Sequence, residues 1–191
     1  MSASTNSFHN LYYPPGGILL WIIILVELLT FGVALIIFTH LGQEQRVLFH
    51  QSCQHVSVAI GSINTIILLS SGFLMAQAIH YFRKEDNRKC SMFILGAISG
   101  GGLFLILKIV EYTDKISAGY LLSTNTFFTF YWFLTTFHAL HVLTGMIILG
   151  IIYFQLTQNK SSREDVEAAA VFWHLCDLIW LLIFPVIYLM Y

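Results

Sequence analysis

Five apolar runs, each long enough to cross a bilayer, constrain this chain more than any other feature. They are Gly17–Phe38, Val56–Phe82, Met92–Tyr112, Thr126–Phe154 and Ala168–Met190. A helix needs roughly 20 mostly apolar residues to span the hydrocarbon core. Lipid offers no partner to a free backbone amide or carbonyl, so only helices and closed barrels cross it. None of the runs alternates apolar with polar residues, which argues against barrel strands. The fold class is therefore all-α, a polytopic bundle of five transmembrane helices. Charged residues supply only 10% of the chain, against about 25% in a soluble domain, so a water-soluble fold is excluded on the same grounds.

The links "THLGQEQRVLFHQSCQH", "RKEDNRKCS", "TDKISAGYLLSTN" and "TQNKSSREDVE" are polar and short. Residues 1–191 are expected to form a single transmembrane domain without internal repeats. The N-terminal "MSASTNSFHNLYYPPGG" has no positive n-region, and the run after it is too long for a signal peptide, so the first span is read as part of the mature chain. Cys53, Cys90 and Cys176 are placed in different loops and a helix, with neither metal-site spacing nor a disulfide framework.

Lysine and arginine placement sets the expected orientation. The second and fourth links carry Arg83, Lys84, Arg88, Lys89, Lys160 and Arg163, whereas the opposite side carries Arg46 and Lys115. The N-terminus is accordingly read as cytoplasmic and the C-terminus as periplasmic.

Ionisable groups inside spans are costly and by default face a bundle interior or a cavity. Here they are Glu27, Lys108, Glu111, His138, His141, His174 and Asp177. The first, fourth and fifth spans are expected to share a belt of carboxylates and imidazoles in the inner half of the bilayer. Lys108 and Glu111 form a separate pair at the outer edge, where Lys108 is expected to snorkel to the interface with Glu111 as its partner. The pairs His138/His141, His174/Asp177 and Lys108/Glu111 are each three residues apart, on one helix face. Asp177 is placed to accept a hydrogen bond from His174 and orient its ring.

Three imidazoles raise the question of a metal or haem. Histidines on neighbouring helices more often form a hydrogen-bonded structural network, and Glu27 in an apolar helix more often bonds between helices than relays protons. Other polar and small residues are architectural. "GAISGGG" (Gly96–Gly102) lets helix backbones approach closely. Asn64, Thr65, Ser70 and Ser71 offer bonds across helices, and Pro185 is expected to kink the last span. The aromatic run "FFTFYWF" (Phe127–Phe133) opens the fourth span as an interfacial anchor or a partner contact.

Several motifs, taken in order, resemble the subunit III family of haem-copper terminal oxidases. "ILVELLTF" resembles the helix with the family's carbodiimide-reactive glutamate, which falls on Glu27. "INTIILLSSG", then "KIVEYTDKI" with Glu111 and Tyr112, match in turn. "FHALHVLTG" places His138 and His141, and "EAAAVFWHLCDLIWLLIFPVIYL" places Glu167, His174 and Asp177. The long members have seven helices, so this chain resembles the five-helix bacterial forms. Its brevity and the "LSTNTFFTFYWFLTTFHALHVLTG" stretch look closest to the NorE-type branch associated with nitric oxide reductase, with the five-helix quinol-oxidase subunit a near rival.

The resemblance implies a non-catalytic accessory subunit in a bacterial inner membrane. Haem and copper belong to the partner subunits, and this chain binds none. The implied partners are a catalytic subunit, other subunits of its complex and structural phospholipid. The implied roles are assembly, lipid binding and sustained proton-coupled turnover. No nucleotide loop, nucleophile constellation or nucleic-acid partner is expected. Two other classes compete. One is a small proton channel or transporter relaying through Glu27, His138, His141, His174 and Asp177; the other is a quinone or haem carrier with the histidines as ligands.

Overall fold

The computed structural model describes residues 17–158 and 160–191; the N-terminal segment read above as cytoplasmic lies outside them. The described residues form six α-helices: α1 (Gly17–Glu44), α2 (Arg46–Cys53), α3 (Val58–Arg83), α4 (Asn87–Ser117), α5 (Thr126–Thr157) and α6 (Arg163–Tyr188). Five of them, all but α2, are long and apolar enough to cross a membrane. The chain is a multi-pass membrane protein, and the five spans of the sequence correspond to α1, α3, α4, α5 and α6.

Helix ends follow from local chemistry. Ser57, Asp86, Asn125 and Ser162 each accept a bond from a backbone N–H in the first turn of the helix that follows, pairing an otherwise unsatisfied donor. Glu164 and Asp165 place negative charge at the positive end of α6. α4 stops at Gly119, whose φ of 84° suits a residue without Cβ. The N–H groups of Gly119 and Tyr120 then turn back to the carbonyls of Ile116 and Lys115, closing the helix as a Schellman motif.

Three sequence expectations are corrected. The first link, expected as a short polar connection, is largely helical: α1 continues to Glu44, and α2 occupies most of the rest. Arg46, His50 and Gln51 face outward, whereas Ser52 is buried and accepts from Asn125 Nδ2 at 2.9 Å. Phe49 is fully buried, packing with Phe38 and Phe127 at ring-centroid distances of 5.0 and 5.5 Å. Cys53, Cys90 and Cys176 are all helical, in α2, α4 and α6, and buried as free thiols. The third span is also longer than its apolar run, because the capped residues Asn87–Ser91 and the turn after Tyr112 continue the helix. α6 runs through Pro185 to Tyr188.

α3 and α4 pack most intimately, joined by a turn of Lys84, Glu85 and Asp86. Close approach relies on small residues. A Cβ on Gly100 would meet Ser71 at 2.7 Å, and one on Gly101 would meet Trp173 at 2.6 Å. The "GAISGGG" stretch is thus where α4 meets both α3 and α6. α6 is central: Trp173, Trp180 and Ile183 are fully buried, and it touches α1, α3 and α5.

Candidate functional site: the intramembrane polar clasps

The ionisable residues of the spans resolve into separate clasps, each joining particular helices. The most deeply buried lies between α4, α5 and α6. Lys108 Nζ donates to Glu111 Oε2 at 2.9 Å and to the Tyr188 hydroxyl at 2.7 Å. Tyr131 and Tyr188 each donate to Glu111 Oε1 at 2.9 Å. The ammonium also sits 4.9 Å from the Trp180 ring centroid and 5.3 to 5.6 Å from those of Tyr188, Tyr112 and Tyr131, a cage that stabilises a cation. Lys108 and Glu111 are each only 1% exposed. The expectation that Lys108 snorkels to the outer interface is therefore wrong. α4 extends nine residues beyond it, about 13 Å at 1.5 Å per residue, and the long side chain turns into the bundle, where the Tyr188 hydroxyl accepts its second bond and the Tyr131 hydroxyl donates to its partner Glu111.

His138 occupies the same core without entering that clasp. It is stacked on Trp180 with ring centroids 5.3 Å apart and meets Phe104 edge-on at 5.5 Å. Neither ring nitrogen has a hydrogen-bond partner among the described residues.

The second clasp joins α1 to α5. His141 Nε2 lies 3.1 Å from Glu27 Oε1, and both side chains are largely buried. His141 Nδ1 lies 2.8 Å from the Phe137 carbonyl oxygen. A carbonyl only accepts, so Nδ1 carries a proton and donates it. Nε2 on the other side of the ring meets the Glu27 carboxyl, so Glu27 and His141 serve as each other's polar partner across the α1–α5 contact.

The third pairing is His174 Nδ1 with Asp177 Oδ2, at 3.7 Å on α6. Asp177 packs against Gly72 of α3 so closely that a side chain there would collide with its carboxylate. This corrects the expectation of one belt shared by the first, fourth and fifth spans: Glu27 and His141 close α1 on α5, while His174 and Asp177 face α3. Beyond them, Glu167 Oε1 accepts from Arg163 Nε at 3.0 Å and Arg83 at 3.3 Å, tying the start of α6 to the end of α3.

Neutral bonds complete the joinery. Trp173 Nε1 donates to Ser71 Oγ at 3.1 Å, and Ser71 Oγ donates onward to the Ala97 carbonyl at 2.8 Å, linking α6, α3 and α4. Trp180 Nε1 donates to Thr65 Oγ1 at 2.9 Å. Sequence reasoning placed Ser71, Thr65, Tyr131 and Tyr188 within motifs without assigning their partners. Their only signal was a polar atom in an apolar run. Among the described residues no three His, Cys, Asp or Glu side chains are grouped as a metal would need.

Five membrane-crossing helices, fastened by the buried Lys108–Glu111–tyrosine cluster, the Glu27–His141 contact and indole–hydroxyl bonds, define a multi-pass helical-bundle membrane protein. Comparison with known proteins then identifies it more closely. The chain belongs to the cytochrome c oxidase subunit III family, whose profile matches residues 17–191. It is 32% identical over 139 residues to a cytochrome c oxidase subunit 3 of Thermostichus vulcanus, covering 71% of this chain and 68% of that one. A probable cytochrome c oxidase subunit 3 of Rickettsia prowazekii is 31% identical, covering 67% of this chain and 47% of its own length. A heme-copper oxidase subunit I+III of Aeropyrum pernix is 26% identical over 179 residues, covering 89% of this chain and 22% of that protein. The chain thus spans from about a fifth to about two thirds of the length of these relatives.

Proposed function

We propose that this chain is a non-catalytic accessory subunit of a respiratory haem-copper complex in a bacterial inner membrane. The observation that carries the reading is the Aeropyrum pernix relative: 89% of this chain aligns within a protein named as subunit I and subunit III together. A subunit III sequence joined to a subunit I sequence in one polypeptide is what a permanent side-by-side pairing would favour. The partner is accordingly a catalytic subunit I-type membrane protein, which carries haem and copper, while this chain contributes helix surface and lipid contacts. Its role is to support assembly and sustained proton-coupled turnover. The donor set supports this division, because Glu27, His141, Lys108, Glu111, His174 and Asp177 are engaged with one another.

The N-terminus is cytoplasmic and the C-terminus periplasmic in this reading, supported by the excess of lysine and arginine in the second and fourth links. Within the family, the motif around His138 and His141 favours the branch that accompanies nitric oxide reductase.

The test is to purify the tagged chain from its own membranes in mild detergent and identify what accompanies it. The reading expects a larger haem-bearing membrane protein in constant ratio, with the spectrum and acceptor activity of that partner deciding between oxygen and nitric oxide. Recovery of the chain alone, together with proton flux from liposomes containing only this protein, would overturn it.

A further inference from the structure

Among the paired ionisable side chains of the spans, His174 stands apart. Lys108 and Glu111 are 1% exposed and Glu27 and His141 about 15%, but the His174 side chain is 46% exposed. It stands eleven residues into α6, about 16 Å from the helix start, at a depth where lipid chains surround an uncovered surface. Such groups normally face the bundle interior or a cavity. His174 instead lines a groove of about 290 Å³ between α3 and α6, whose floor includes Ala76, Ala170 and Val171 and whose end is closed by Arg83 and Glu167.

We propose that this groove is the docking site for a transmembrane helix of a partner protein that presents a hydrogen-bonding side chain to the His174 ring. The inference rests on the accessory-subunit reading and specifies which face of the bundle serves it. Small residues let the axis of a foreign helix come close, as helix packing in lipid requires. The imidazole inside the groove is only loosely held: Nδ1 of His174 lies 3.7 Å from Asp177 Oδ2, longer than a hydrogen bond, and nearly half of the side chain is open to the groove. An acyl chain offers neither donor nor acceptor, whereas a serine, threonine, asparagine or glutamine on a facing helix offers both. At the membrane edge the same groove ends on the exposed Arg83 guanidinium, where the polar end of a partner helix would emerge. By contrast, the cleft of about 480 Å³ bordered by Leu121, Trp132 and Leu140 on the far side of α5 is almost wholly apolar. Lipid satisfies it fully.

The test places a photoreactive amino acid at Val171 in the groove and, as control, at Leu140 in the apolar cleft, in the tagged full-length chain within its own membranes. Illumination at Val171 is expected to join the chain to a larger haem-bearing membrane protein, with little product from Leu140. In the Val171 background, His174→Leu is expected to lower the yield about five-fold or more, the effect of losing an interhelical bond of 1–2 kcal/mol, while His174→Gln retains most of it. Adducts with lipid only, adducts with a second copy of this chain, or equal yields from both positions would overturn the proposal. If the haem protein co-purifies but is captured from Leu140, the accessory reading stands and the docking face is wrong. If no haem protein co-purifies with any variant, the accessory reading falls and takes this inference with it.

Discussion

Lys108 Nζ and Glu111 Oε2 meet at 2.9 Å, three residues apart on α4, with both side chains sealed from the surroundings. Each is tolerable only because the other, and the hydroxyls of Tyr131 and Tyr188, are present. Removing one partner of a buried pair leaves an uncompensated charge, at a cost of about 3–5 kcal/mol, whereas removing both is far milder. Lys108→Met or Glu111→Leu alone should therefore lower the unfolding midpoint in detergent steeply. The double variant should lie much nearer the parent than the sum of the singles, and a thermal double-mutant cycle reads the difference directly.

Adjacent glycines in α4 should respond in opposite directions. A Cβ at Gly101 falls 2.6 Å from Trp173 Cη2, a ring with no room to retreat, but at Gly102 it meets only the end of Met146, at 3.6 Å. Gly101→Ala should cost about 1–3 kcal/mol through overpacking. Gly102→Ala should be neutral or stabilise by up to about 1 kcal/mol, because alanine restricts the unfolded backbone more than glycine does. Parallel melting curves of the two variants make the comparison.

Ser71 serves two neighbours at once, accepting from the Trp173 indole and donating to the Ala97 carbonyl. In Ser71→Ala the indole N–H stays buried without its acceptor, which should cost about 1–3 kcal/mol. Ser70, exposed on the same helix, provides the control: Ser70→Ala should leave the melting point unchanged.

At the α3–α4 turn, the Asp86 carboxylate accepts the Lys89 backbone N–H at 3.1 Å. That bond, with the Lys89 ammonium, holds its pKa below the ordinary value of 3.8. A group whose folded pKa is depressed stabilises the folded state above its unfolded pKa, and the contribution is lost as pH falls through the folded value. Protection of the first α4 amides against hydrogen exchange should therefore drop on acidification below about pH 4. In Asp86→Asn the amide oxygen still caps the helix, so the acid dependence should disappear while the cap persists.

The long apolar runs made the five spans legible in the sequence, since run length alone decides whether a helix can cross lipid. The i,i+3 spacing of Lys108 and Glu111 announced their pairing as well. Its location was not legible: Lys108 looked like an interfacial lysine because nothing in α4 reveals that α5 and α6 bring Tyr131 and Tyr188 to it. The expected belt already brought the first and fourth spans together, but which imidazole Glu27 meets, His141, is fixed only by the crossing of α1 and α5. Helix α2 escaped notice because its eight residues are too few for a span and half of them are polar. What holds it is its buried face, above all Phe49 in an aromatic cluster assembled from α1, α5 and the C-terminus, with Ser52 bonded to Asn125.

The central claim is that the buried acids and imidazoles join helices to one another and hold no redox centre. Its most direct test is the iron, copper and haem content of this chain after separation from its partners, measured by elemental analysis and visible absorption. The account predicts metal and haem well below one equivalent per chain, with the full absorbance remaining in the partner fraction. A stoichiometric haem or copper signal retained by the isolated chain, and lost on replacing His138, His141 or His174 by leucine, would contradict it.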